Sequence, residues 1–268
     1  MPPAESRLAG LRRLGQSPWL DNLKRAWLES GEIQQWIDRG VRGITSNPSI
    51  FEKAIGSSAD YDAEIGRLAA QGRSVDHIYE TLAIEDIRHA CDLLLPVFQR
   101  TNGVDGYASL EVSPHLAHQT EETIAEGRRL HAAVDRVNVM IKVPGTPAGV
   151  PAIEELIGSG INVNVTLLFA QGAYEQAARA YIRGLERFAA SGGDVSKVAS
   201  VASFFVSRID GNADKRIEAL IAATAVADEQ AKLRGLLATT AVANSKLAYA
   251  RFGEIFAEPR FQTLRDQG

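Results

Sequence analysis

Short apolar runs alternate with amphipathic helical stretches along most of this chain, and that rhythm narrows the fold more than any other feature. Strand candidates fall at 19–23, 43–49, 106–112, 139–143, 161–169 and 200–208. Between them lie helical patterns. The strongest runs from 75 to 100, where Ile78, Leu82, Ile87, Cys91, Leu94 and Phe98 recur near a 3.6-residue period. Another covers 117–134. A third has Thr146 as an N-cap and Pro147 in the first helical position, with Gly160 to end it. A fourth carries Tyr174, Ala178, Tyr181, Leu185 and Phe188 on one stripe. Everything after Gly211 reads as helix in two or more pieces. Strands that alternate with helices predict a parallel sheet of βαβ units. No linker or low-complexity stretch divides the 268 residues, so one domain spanning 1–268 is expected.

Side-chain alternation separates the two parallel architectures, because successive strand residues point to opposite faces. In the third strand Ala108, Leu110 and Val112 oppose Tyr107, Ser109 and Glu111. In the fourth, Val139, Ile141 and Val143 oppose Met140 and Lys142; in the fifth, Ile161, Val163, Val165 and Leu167 oppose Asn162, Asn164 and Thr166. An open sheet covered on both faces by helices is apolar on both. One apolar face and one that turns polar toward the strand ends suit a barrel, whose sites lie at the C-terminal ends of its strands. The expected fold is therefore α/β, of the (β/α)8 barrel type, with about six βα units in this chain. Its axis carries Glu111, Lys142, Asn164 and Thr166.

Composition removes several function classes. The net charge is −4 and no basic stripe appears, which speaks against nucleic-acid binding. No run reaches the roughly 18 apolar residues of a membrane span. A lone cysteine, Cys91, cannot staple the fold and suggests a reducing compartment. The N-terminus lacks the apolar core of a secretory signal. A soluble, cytoplasmic protein is expected. His115 and His118 have no further ligand at suitable spacing, so no metal site is expected.

Lys142 is the residue that needs a reason. A strand lysine ordinarily protects a sheet edge, but its valine and isoleucine neighbours read as a central strand. An ammonium carried into an apolar interior is disfavoured relative to the neutral amine. That amine can attack a ketone and form a Schiff base, whose iminium stabilises the carbanion left when a neighbouring carbon–carbon bond breaks. Such chemistry needs an acid/base group, and Glu111 and Asp21 are the carboxylates available.

The stretches WLDNL, GITSNPSIF, GYASLEVSP, VMIKVPGT, GINVNVTLLF and SFFVSRIDG occur in this order. Together they resemble transaldolase, in its longer bacterial form, from about residue 15 onward. The resemblance implies a (β/α)8 barrel that moves a dihydroxyacetone unit between sugar phosphates in the pentose phosphate pathway, with no cofactor. It implies Lys142 as the Schiff-base nucleophile and Asp21 as the acid/base for carbon–carbon cleavage. Glu111 acts through a water held with Thr166. Asn47, Asn164 and Ser203 bind the triose, Phe205 shields the intermediate, and Arg208 belongs to the acceptor-phosphate site. Each residue has a plainer reading: Asp21 as a helix cap near Asn22, Asn47 as a turn residue before Pro48, Asn164 and Thr166 as an exposed polar strand face, Ser203 and Phe205 as packing, and Arg208 as a surface partner of Asp210.

The resemblance implies eight strands, with the last two after a helix like the one that begins SKLAYARFGEIF. Six are counted here, so it implies an incomplete barrel with two open edges, and from that low stability or homo-oligomerisation. Two alternatives stay open: an aldolase that releases free dihydroxyacetone, and an inactive fragment that serves only as an interaction module.

Overall fold

A computed structural model describes residues 6–268. Six parallel strands form one sheet in the unbroken order β1 to β6: β1 (Trp19–Leu20), β2 (Gly43–Thr45), β3 (Tyr107–Glu111), β4 (Val139–Pro144), β5 (Val163–Leu168) and β6 (Ser200–Phe204). A doubly wound sheet reverses its strand order at a switch point. This sheet never does, and it forms the arc of a (β/α) barrel. Among the described residues β1 and β6 are its two edges.

Helices follow the strands. α1 is Arg7–Arg12; α2 (Arg25–Glu29) and α3 (Glu32–Arg39) join β1 to β2. α4 (Pro48–Gly56), α5 (Asp62–Ala70) and α6 (Val75–Arg100) lead to β3, α7 (Thr120–Val134) to β4, α8 (Gly149–Gly158) to β5 and α9 (Gln171–Ala190) to β6. α10 (Ser207–Ala223), α11 (Ala227–Arg234), α12 (Thr240–Phe256) and α13 (Pro259–Gln267) complete the chain. None of the described helices is long and apolar enough to cross a membrane.

The two strand faces sort as their sequences require. Ala108, Leu110, Val112, Val139, Ile141, Val143, Val163 and Val165 are buried in one cluster with Ile87, Leu94, Ile153, Leu156 and Leu185 of the helices. Ser109, Met140, Lys142, Asn164 and Thr166 are buried on the other face, outside that cluster. Cys91 belongs to the apolar cluster, and burial pushes its thiol up to about 12, so it is an inert packing residue.

Several boundaries differ from the sequence reading. β1 ends at Leu20; β2 ends at Thr45, because Asn47 caps α4 and Pro48 opens it. Thr146 makes the bonds of an N-cap: its Oγ1 accepts from Gly149 N–H at 2.9 Å and its carbonyl from Val150 N–H at 3.0 Å. Regular helix nevertheless begins only at Gly149. α8 stops at Gly158, and Gly160 takes φ +78°, with Ile161 N–H closing back on the Leu156 carbonyl. β6 ends at Phe204 and helix resumes at Ser207, so Arg208 stands in the first turn of α10 and not on a strand.

Candidate functional site

Parallel register lines up the site. Glu111 of β3 pairs with Lys142 of β4, and Lys142 pairs with Asn164 of β5. Three inward-pointing residues therefore stand side by side across three central strands. One further step up β5, Thr166 lies opposite Pro144, and its carbonyl accepts from Gly145 N–H at 2.7 Å. Immediately after it β5 breaks register: Leu167 adopts φ +59°, a left-handed conformation unusual for leucine, inside a bulge between Val165 and Leu168.

Lys142 is central in space as well as in register. Its side chain is 6% exposed. Nζ donates to the Ser46 carbonyl at 3.0 Å and stands 3.2 Å from Glu111 Oε2. Burial holds the Glu111 carboxyl above the ordinary carboxylate range. Lys142 draws it back down, the charge of Asp21 adds to the rise, and Arg208 opposes it. Three residues far apart in sequence thus act electrostatically on one carboxylate.

A second set of bonds crosses the same face. Ser203 Oγ donates to Asn164 Oδ1 at 2.8 Å, and Asn164 Nδ2 donates to Ser109 Oγ at 3.0 Å. Ser46 Oγ donates to the Ser109 carbonyl at 2.7 Å. At the rim the Phe205 ring lies 4.9 Å from Phe169, and the Arg208 guanidinium stands 4.8 Å over Phe205. Phe205 N–H bonds the Leu168 carbonyl at 2.9 Å, which fixes this rim to the end of β5.

Three of the plainer readings fail. Asn164 and Thr166 are buried, not an exposed polar face. Asp21 caps nothing, since α2 begins at Arg25 after Lys24. Arg208 makes no ion pair among the described residues, and Asp210 instead accepts from Ala241 N–H at 2.7 Å. Asn47 is neither a simple turn residue nor free of local bonds: its Oδ1 accepts from Ile50 N–H at 3.0 Å as the N-cap of α4. Asp21 is exposed, one residue beyond β1.

Two contributors were missed in the sequence. Ser109 was assigned to the inner face but given no part, although its oxygens tie β2 and β5 to β3. Ser46 meets Lys142 through its carbonyl, a group present at every residue, so no residue type could have signalled that contact; its Oγ serves the bond to the Ser109 carbonyl.

The family model for transaldolase/fructose-6-phosphate aldolase matches residues 18–263. The chain belongs to this family. It is 48% identical over 264 residues to a transaldolase of Trichodesmium erythraeum, covering 98% of this chain and 70% of the relative. It is 48% identical over 268 residues to "Transaldolase 2" of a Nostoc species, covering 99% and 70%. A transaldolase of Mycobacterium ulcerans is 45% identical over 270 residues, covering 100% and 70%. The chain thus spans about 70% of the length of these transaldolases.

Proposed function

We propose that this transaldolase-family chain transfers a dihydroxyacetone unit from a ketose phosphate, sedoheptulose 7-phosphate or fructose 6-phosphate, to an aldose phosphate, glyceraldehyde 3-phosphate or erythrose 4-phosphate. The observation that carries the reading is the buried Lys142 amine beside Glu111, within a row of polar groups on the inner face. Family membership supports the reaction and its place in the pentose phosphate pathway.

In this reading Glu111, through a water shared with Thr166, takes the proton that the Lys142 ammonium must lose. The amine adds to the C2 ketone; the carbinolamine loses water and leaves an iminium. Asp21 removes the proton of the C4 hydroxyl, the C3–C4 bond breaks, and its electron pair is held by the iminium as an enamine. The aldose phosphate departs. The enamine carbon then attacks the acceptor aldehyde, Asp21 returns the proton, and water releases Lys142. Asn47, Asn164 and Ser203 hold the hydroxyls of the bound triose. Phe205 screens the intermediate from water, so transfer outruns hydrolysis, and Arg208 receives the acceptor phosphate.

The same reading takes residues 1–268 as one barrel-type domain, places it in the cytoplasm and has it form a homo-oligomer. Sedimentation velocity tests the last point: a concentration-dependent rise in mass is expected, and a monomer at every concentration contradicts it. The activity is tested with fructose 6-phosphate and erythrose 4-phosphate. Sedoheptulose 7-phosphate and glyceraldehyde 3-phosphate should appear in equal amounts. Free dihydroxyacetone in place of sedoheptulose 7-phosphate would show the aldolase branch of the family instead.

A further inference from the structure

Asp21 sits on the least regular stretch of the site. β1 is two residues long, its register covers only Trp19 with Gly43 and Leu20 with Ile44, and residues 21–24 are neither helix nor strand. The chain is then tied down at once. Leu23 is fully buried. Arg25 backbone N–H donates to Tyr61 Oη at 3.1 Å, and Tyr61 Oη donates to Asp86 Oδ2 at 2.8 Å. Arg25 Nε donates to Asp86 Oδ1 at 2.8 Å, and its guanidinium lies 4.6 Å from the Tyr61 ring centroid. Nη2 reaches Glu85 Oε2 at 3.3 Å.

These groups come from α2, from the turn before α5 and from α6. The Asp86 side chain is 3% exposed and Tyr61 is fully buried. A buried ion pair is a costly way to hold helices together, since well-packed apolar residues do so at least as well. What this network adds is geometry. It closes a ring through a backbone N–H, and so fixes where the main chain lies four residues after Asp21.

We propose that Arg25, Asp86 and Tyr61 form a clamp that positions Asp21 for carbon–carbon cleavage. They are positioning residues that act through the backbone of residues 21–25. The inference rests on the roles of Asp21 and Lys142 proposed above.

Two assays separate the steps. Borohydride reduction after incubation with dihydroxyacetone captures the Lys142 iminium and breaks no carbon–carbon bond. Conversion of fructose 6-phosphate with erythrose 4-phosphate requires cleavage. Tyr61→Phe keeps the ring and removes the hydroxyl; Asp86→Asn is the second variant. Capture of dihydroxyacetone should stay within about twofold of the parent while cleavage falls about tenfold or more, chiefly in kcat, the scale on which small misplacements act. In an Asp21→Asn background Tyr61→Phe should cause no further loss.

Equal losses in the two assays, unchanged cleavage, or losses that multiply with Asp21→Asn would overturn the clamp. If one variant melts below the assay temperature the other decides; if both do, the network is a stability element and the proposal falls. Failure of the parent to be captured at Lys142, or full cleavage by Asp21→Asn, contradicts the functional reading itself and removes the clamp with it.

Discussion

A lysine ammonium on an inner barrel face is acceptable only where its charge is met, and at residue 142 a carbonyl and one carboxylate meet it. That pairing makes Glu111 the titrating group to watch. Burial raises its proton affinity, Asp21 raises it further, and Lys142 and Arg208 lower it. If Glu111 must be ionised to accept a proton, the acidic limb of iminium formation lies above the usual glutamate range. Removing a neighbouring negative charge lowers a carboxylate's pKa, and removing a positive one raises it. Asp21→Asn should therefore move that limb to lower pH, and Arg208→Ala to higher pH. The measurement is the rate of dihydroxyacetone capture between about pH 4 and pH 8. Shifts in the opposite directions would show that another group titrates. At this scale the alternation of Ser109, Glu111, Lys142, Asn164 and Thr166 was legible, because a strand's two-residue period fixes which side chains share a face. The Ser46 carbonyl and the Arg25–Asp86–Tyr61 ring were not. The first is backbone, and the second joins residues 25 to 61 positions apart, with no local pattern to connect them.

Elements carry the site by where they stop. α6 was legible, since apolar residues recur near a 3.6-residue period across Val75–Arg100; the structure adds Ser74 as its N-cap. Strand ends were overread. An apolar run such as Phe204, Phe205 and Val206 looks extended, but whether it stays in the sheet depends on a neighbouring strand, and that is a tertiary matter. Arg208 was misplaced for this reason. The junction after β4 is tighter still. A Cβ on Gly149 would overlap the Pro144 carbonyl oxygen, where β4 delivers Lys142 and α8 begins. Gly149→Ala should destabilise the chain by about 1–3 kcal/mol, the usual cost of overpacking. Urea denaturation reads this as a lower midpoint at unchanged slope. An unchanged midpoint would mean that the junction is looser than the contact implies.

On the scale of the whole molecule, six strands in sequential order bring residues from positions 21 to 208 to one end of one sheet. The fold class was legible because strand–helix alternation and one-sided polarity are both sequence properties. The aromatic wall beside the edge strand was not. α9, β6, α12 and α13 enclose a cleft of about 860 Å³. There Tyr249 stacks on Phe252 at 5.8 Å, and Phe252 lies 4.6 Å from Phe256. Tyr249 and Phe252 are exposed. Such a surface should bind anilinonaphthalene sulfonate in the native state. The double variant Tyr249→Ser, Phe252→Ser should lose most of that fluorescence without a change in far-UV circular dichroism; equal fluorescence from both chains would place the dye elsewhere. The central claim is that this end of the sheet is assembled for Schiff-base chemistry. Its most direct test is borohydride reduction of the purified chain after incubation with fructose 6-phosphate, followed by peptide mass spectrometry. The account predicts a dihydroxyacetone-derived adduct on Lys142 that is absent from Lys142→Arg, whose guanidinium stays protonated and cannot attack a carbonyl. An adduct on another lysine, or none where a transaldolase treated in parallel gives one, would contradict it.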